Sequence, residues 1–372
     1  MQRVGLIIGE GPSIARRIVA FLLITWVPLL VFSLLEGRAI GATPRGSFLL
    51  DFATYARFFL AIPLLFAAEA VVGPRLRNAG LQLVRANFVR NEDLPAFEAA
   101  ILRAKSRREA VLPELTMLGI ALIGARFTFE QLAAGATADS WNSLARAGGG
   151  LSLTGFWYHW IAVPILQFFA LRILWRLVIW TLFLRDVARL KLNTVATHPD
   201  RAGGLGFLGA AHTSIAIFPF ALSCILSGAV GFQIYFEGAS IRSFELVFIA
   251  FLVLSELVCL GPLLLFIPLL ARTRREGLLR YSTLSDTYNR RFENKWVEPK
   301  GAPDESLLGS GDIQSLADLG NSYRMAEEMK TFPFGRNQIM QIAIVAALPC
   351  APLVFLVVPM AEVLKLLAGV LL

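Results

Sequence analysis

The chain has 372 residues, 56% of them apolar and 17% charged, with a formal net charge of +8 and a mean hydropathy of +0.63. Globular proteins carry about 25% charged residues, and the apolar residues here fall in long blocks rather than in the ~10-residue alternating segments of a barrel. The composition therefore excludes a β-barrel and points to an all-α, polytopic transmembrane bundle.

In chain order the apolar segments are 18–35, 48–72, 111–129, 156–184, 208–236, 244–270 and 339–360. This predicts about seven spans, with six to eight allowed, in a single membrane domain. Arg16 and Arg17 precede the first segment, whose apolar core is too long for a signal peptide, so it reads as a retained span. The last segment carries Pro349, Pro352 and Pro359. It reads either as one kinked span or as a span followed by a helix lying at the interface.

The loops set the orientation. The N-terminus and loops 73–110, 185–207 and 271–338 hold 26 Lys and Arg, the opposite side 5, and four more lie inside spans. The positive-inside rule assigns the richer side to the cytoplasm and the N-terminus with it. The net charge is then a matter of topology and anionic lipid rather than nucleic acid.

Two segments on that side are predicted to be helical, 79–110 and 271–330. In the first, Asp93 reads as an N-cap with Pro95 just inside the helix, and Phe97, Ile101 and Ala104 form a narrow apolar stripe. In the second, Tyr281, Leu284, Tyr288, Phe292 and Trp296 repeat at helical spacing. A Pro/Gly linker follows, and then an amphipathic helix from about Asp312, read as its N-cap, to Lys330. These helices are expected to pack on each other or on a neighbouring subunit, since their few apolar positions make a poor independent core.

The loop His198-Pro199-Asp200-Arg201-Ala202-Gly203-Gly204-Leu205-Gly206 contains G-x-G-x-x-G at Gly204, Gly206 and Gly209. A dinucleotide site needs a preceding strand and a following soluble helix, and here a span follows. The free N–H groups of a helix N-terminus favour anions. His198, Arg201, Gly203, Gly204 and Gly206 are therefore a candidate anion loop at the inner mouth, beside the plainer reading of a turn.

Gly309-Ser310-Gly311-Asp312 and Gly238-Ala239-Ser240 match fragments of protease motifs in the wrong context. No P-loop, H-E-x-x-H or G-x-S-x-G elbow is present. His159, His198 and His212 lack metal-ligand spacing, and His159, among Trp157, Tyr158 and Trp160, is expected in an aromatic belt. Cys224, Cys259 and Cys350 lie in apolar blocks as packing residues. No catalytic residue, cofactor or metal is expected, and the chain is not read as an enzyme. Ser223, Ser227 and Gly231 form a small-residue stripe for helix packing, with a pore-lining stripe as the alternative.

The intramembrane charges carry the functional reading. Asp51, Glu69, Glu114, Arg126 and Glu245 lie near span ends. Arg57, Arg172, Arg176 and Glu256 lie deep, with Arg57 roughly 5 Å to one side of the midplane and Arg176 roughly 9 Å to the other. Arg172 and Glu256 are close to level and are the expected ion pair. Three arginines against one glutamate leave a positive surplus that an anion could balance. No clear pair of interrupted repeats is visible, which counts against an inverted-repeat transporter.

The loop HPDRAGGLGFL at 198–208 and the helix DIQSLADLGNSY at 312–323, with the span layout, resemble a group of bacterial multi-pass inner-membrane proteins. The resemblance covers most of the chain, implies a bacterial inner membrane and transfers no activity. The expected function is an anion channel or anion transporter with Arg57, Arg172 and Arg176 on the path and Glu256 as counter-ion. The alternative is a non-conducting scaffold or signalling subunit whose cytoplasmic helices bind a partner. Expected partners are the bilayer, an inorganic or small organic anion and, as an open question, a second copy of the chain.

Overall fold

The computed structural model describes residues 14–135, 140–144, 150–298, 306 and 310–357, with backbone alone at 128–135, 143–144 and 150. Among these residues the fold is helical apart from a two-residue antiparallel pairing, Ser143–Leu144 with Gly150–Leu151. The helices are α1 Ile14–Leu35, α2 Phe52–Arg85, α3 Leu94–Glu109, α4 Val111–Gly135, α5 Leu153–Ala188, α6 Gly206–Glu237, α7 Ile241–Val297, α8 Gly311–Glu327 and α9 Arg336–Leu356. Six of them (α1, α2, α5, α6, α7 and α9) are long and apolar enough to cross a membrane. The helical pair 91–109 and 111–127, bent by 46°, makes a seventh if counted as one span. The chain is a membrane protein.

Several of these helices are too long for a bilayer. At 1.5 Å per residue, α2 with 34 residues is about 51 Å long and α5 with 36 about 54 Å, against about 30 Å of hydrocarbon. The surplus is buried in protein at the basic end of the bundle. Leu83 of α2, Leu184 and Val187 of α5, Leu208 of α6 and Leu270 of α7 are fully buried there, and Leu205 and Ala326 close the same core. Gly80 of α2 lets Trp180 and Phe183 of α5 approach to within 4 Å of its Cβ direction. Phe97 of α3 meets the Phe183 ring edge-on at 5.7 Å. Phe97 and Ala100 are the buried residues of α3, with Ile101 and Ala104 partly buried beside them. Asp93 stands at the predicted N-cap position, without a side-chain capping bond.

Proline shapes each span. Pro28 in α1 has no N–H for the Ile24 carbonyl, and the indole N–H of Trp157 in α5 supplies one at 3.0 Å. In α2 and α5 the helix widens into a π turn, Ala56–Ala61 and Tyr158–Ala162, just before Pro63 and Pro164. A π turn shifts bonding to i+5, so a carbonyl facing the missing proline N–H can reach the next one. In α7 a 3-10 stretch, Gly261–Phe266, carries Pro262 and precedes Pro268.

Two residues of the α6 stripe, Ser223 and Gly231, make close contacts, as does Gly228 beside them. A Cβ on Gly228 would lie 2.7 Å from the Ala56 Cβ, one on Gly231 3.1–3.2 Å from Leu353 and Phe52, and Ser223 contacts the Cys350 sulfur at 3.4 Å. Cys224 and Cys259 are buried free thiols.

Helix α7 runs on past its apolar half, and α8 folds back along it. Asp312 ties the two together. Its carboxylate accepts from Lys295 Nζ and Trp296 Nε1, both at 2.9 Å, and its carbonyl accepts from the Tyr288 hydroxyl at 3.0 Å. The N-cap of α8 is Ser310 rather than Asp312. These donors hold the Asp312 carboxyl below its usual range, the bonds from Lys295 and Trp296 coming first. Of the two expected packings for this pair of helices, the structure shows the one within the chain.

Candidate functional site

The loop between α5 and α6 is the knot of the basic end. Gly203 and Gly204 have φ of +65° and +93°, a region L side chains rarely adopt. A Cβ on Gly204 would also lie 2.5 Å from the Phe88 ring. This turn folds the backbone around the Asp200 side chain. One carboxylate oxygen accepts the N–H of Ala202 at 2.8 Å and of Gly204 at 3.0 Å, and the other accepts that of Gly206 at 2.8 Å. His198 Nδ1 lies 2.8 Å from the first oxygen. Burial pushes the Asp200 carboxyl up, but the three backbone N–H groups and His198 outweigh it and hold it below the usual range.

The expected anion loop is thereby corrected. The N–H groups of Gly204 and Gly206 already hold an anion, and it is the loop's own carboxylate. Arg201 is also engaged, its carbonyl with the Lys330 N–H at 2.7 Å and its guanidinium with Glu328 at 3.1 Å. Thr194 and Thr273 hydroxyls pair at 2.6 Å, and Ala196 fits under Gly277 of α7. The loop thus fastens the α2–α3 linker, α7 and the α8–α9 linker at one point.

A second polar bridge crosses three helices. Trp180 Nε1 of α5 donates to His212 Nε2 of α6 at 2.8 Å, and His212 Nδ1 stands 2.7 Å from the Cys259 carbonyl of α7. Nε2 is then an acceptor, so Nδ1 carries the proton and donates. The ring is neutral and both its nitrogens are used. His159 is not in an aromatic belt. It is 4% exposed, beside Tyr158 and within the field of Arg57.

The intramembrane arginines gather along the seam between α2 and α5, which run parallel. At the end away from the basic loops, Arg57 donates to the Tyr158 hydroxyl at 2.6 Å. Asp51, 7% exposed, lies at the same end and accepts from the Thr54 hydroxyl at 2.8 Å, the Thr54 N–H at 3.2 Å and Trp141 Nε1 at 3.1 Å. Twelve residues along α2, about 18 Å, Glu69 pairs with Arg176 at 2.6 Å. Between these levels Ile62, Leu65 and Phe66 of α2 and Ala162 and Leu166 of α5 are all buried.

Beside the Glu69–Arg176 pair is a cleft of about 380 Å³ between α1, α2 and α5, with Arg17, Glu69 and Arg172 at its polar side. Neither Arg17 nor Arg172 has a hydrogen bond or ion pair with a described residue. The expected Arg172–Glu256 pair is not formed. The Glu256 oxygens are shielded and have no hydrogen-bond partner, and the carboxylate on the arginine seam is Glu69, which hydropathy alone had assigned to a span end.

The cleft also sets Arg172 against α1. Arg17 lies in the first turn of α1, and from Arg17 to Glu36 the chain rises about 28 Å, close to one hydrocarbon thickness. Arg172 shares this cleft with Arg17 and so lies level with the start of α1. Leu177, Phe183, Leu184 and Val187, beyond Arg172, are apolar because protein covers them.

The paired π turns are a feature that the sequence reading missed. Arg57 and Tyr158 are separated by 101 residues, as are Pro63 and Pro164. The two spans are interrupted at corresponding points, and the interruptions face each other. The signal available in the sequence was the recurrence of a proline six residues after each of the two polar positions. No family model, curated protein or solved structure matches this chain.

Proposed function

We propose that this chain is a gated anion channel or anion transporter, in a conformation closed towards the end opposite its basic loops. One observation carries the reading: Arg17 and Arg172 share a cleft against the α2–α5 seam, and no described side chain neutralises either. The single carboxylate of the lining, Glu69, is already paired with Arg176. A surplus of this kind at the edge of a low-dielectric region calls for an acceptor, and an anion supplies one.

The rest of the seam is consistent with a path. Arg57 lies further along it, bonded to Tyr158 where both spans are interrupted, and interrupted spans are a common setting for transport sites. The buried apolar layer between the two levels acts as the closure. The Asp200 loop would fix the ends of the spans and would not ligate the permeating ion. The charge asymmetry of the loops supports a bacterial inner membrane with the basic end, and the N-terminus, in the cytoplasm. No catalytic chemistry is proposed.

Anion flux through reconstituted protein tests this, with Arg172→Gln compared against wild type. A second reading, a non-conducting scaffold, is favoured by a different observation. Helix α7 extends to 57 residues, about 85 Å, and with α8 forms a two-helix arm clamped at Asp312. In that case Arg172→Gln is silent and a stoichiometric soluble partner copurifies through the arm.

A further inference from the structure

We infer that the anion held in the α1–α2–α5 cleft is the head of an amphiphile, an anionic phospholipid drawn sideways from the leaflet at the basic end. The inference rests on the reading above that the cleft binds an anion, and it names the class of that anion.

The polar side of the cleft has been described; the other side is aromatic. Phe21 of α1, Phe66 of α2 and Phe169 of α5 form a closed triangle, with ring centroids 5.1 Å apart for Phe21–Phe66, 4.5 Å for Phe21–Phe169 and 5.2 Å for Phe66–Phe169. All three rings line the cleft together with Arg17, Arg172 and Glu69. The guanidiniums alone suffice for a small inorganic anion, which leaves the aromatic wall unused. A phosphate carrying a glycerol and the start of an acyl chain uses both sides, with the head on the guanidiniums and the chain on the rings.

Size and position agree. About 380 Å³ falls in the range of pockets for organic ligands, about 300–1,000 Å³, and far exceeds a single halide. The cleft sits at the first turn of α1, the level where a headgroup lies. Ala20, an exposed small residue, lines the cleft from α1 together with Arg17 and Phe21, and Val19 and Leu23 beside it are 54% and 56% exposed. A chain can pass from the cleft onto that apolar face without crossing a polar barrier. Arginine is suited to phosphate because its planar fork gives two parallel bonds to one group.

The test is native mass spectrometry of the full chain in detergent, with thermal unfolding as a second readout. The probes are short-chain phosphatidylglycerol, phosphatidylcholine of the same chains, glycerol phosphate and inorganic phosphate. The expected result is selective retention of phosphatidylglycerol, weakened at least roughly tenfold in Arg17→Gln/Arg172→Gln. Ala20→Leu, which fills the α1 edge and leaves every charge in place, should weaken it similarly. Both variants should unfold at the wild-type temperature when no lipid is added. Glycerol phosphate or inorganic phosphate binding as tightly as the lipid would overturn the amphiphile and leave the anion reading standing. Binding of none of the probes would overturn both. Equal retention by wild type and the double arginine variant, or of phosphatidylcholine and phosphatidylglycerol, would overturn the amphiphile assignment.

Discussion

The Arg57 guanidinium donates to the Tyr158 hydroxyl at 2.6 Å, and each residue sits in a π turn of its own span. Two interrupted helices therefore meet at a polar contact that neither makes alone. Tyr158→Phe removes the acceptor while keeping the ring, which also packs on Trp141 at 5.2 Å. The expected cost is about 1–3 kcal/mol, since Arg57 is left short of a partner in a half-buried site. Thermal unfolding in detergent measures it. If the contact is also the closure, the variant conducts more than wild type in the same membrane.

The Glu69–Arg176 pair at 2.6 Å should behave as a unit. Glu69→Gln alone leaves Arg176 without its carboxylate, beside a cleft that already holds Arg17 and Arg172, and is expected to destabilise the fold by about 1–3 kcal/mol. Glu69→Gln combined with Arg176→Gln should recover most of that loss. A double-mutant cycle on unfolding midpoints checks the coupling.

Asp200 gives a prediction with a pH sign. Three backbone N–H groups converge on its carboxylate, and its pKa is held below the ordinary value. A depressed pKa means that the stabilisation is complete at neutral pH. It fades only as pH falls from the ordinary carboxylate value, about 3.9, through the lower folded one. Asp200→Asn should cost about 2 kcal/mol at pH 7, because an amide nitrogen would face one of the N–H donors. The gap to wild type should stay constant down to about pH 4 and narrow below it, as read from denaturation midpoints across pH.

The bond from Trp157 to the Ile24 carbonyl exists because Pro28 cannot make it. Trp157→Phe should cost roughly 0.5–1.5 kcal/mol. In a Pro28→Ala background, where α1 can satisfy the carbonyl itself, the same substitution should cost less. Unfolding midpoints of the four proteins decide it.

The spans were legible because lipid-crossing helices are written as long apolar blocks. Depth was not. Hydropathy counts Leu177, Phe183 and Leu184 in the fourth span, whereas all three are buried inside the protein. It also ended the second span at residue 72 and so kept Glu69 from being matched with Arg176. The glycines of the loop were read for the anion they could bind. That the anion is Asp200, two to six residues away in the same turn, depends on positive φ at Gly203 and Gly204, which composition does not reveal. The π turns left only a trace, in the spacing of Pro63 and Pro164.

The central claim is that the cleft at Arg17 and Arg172 lies on an anion path, and flux through purified protein in liposomes tests it most directly. The account predicts that wild type dissipates an imposed anion gradient and that Arg172→Gln slows this, or alters the order of anions passed, while unfolding at the wild-type temperature. Folded wild-type protein that passes no anion under any gradient or voltage would contradict it.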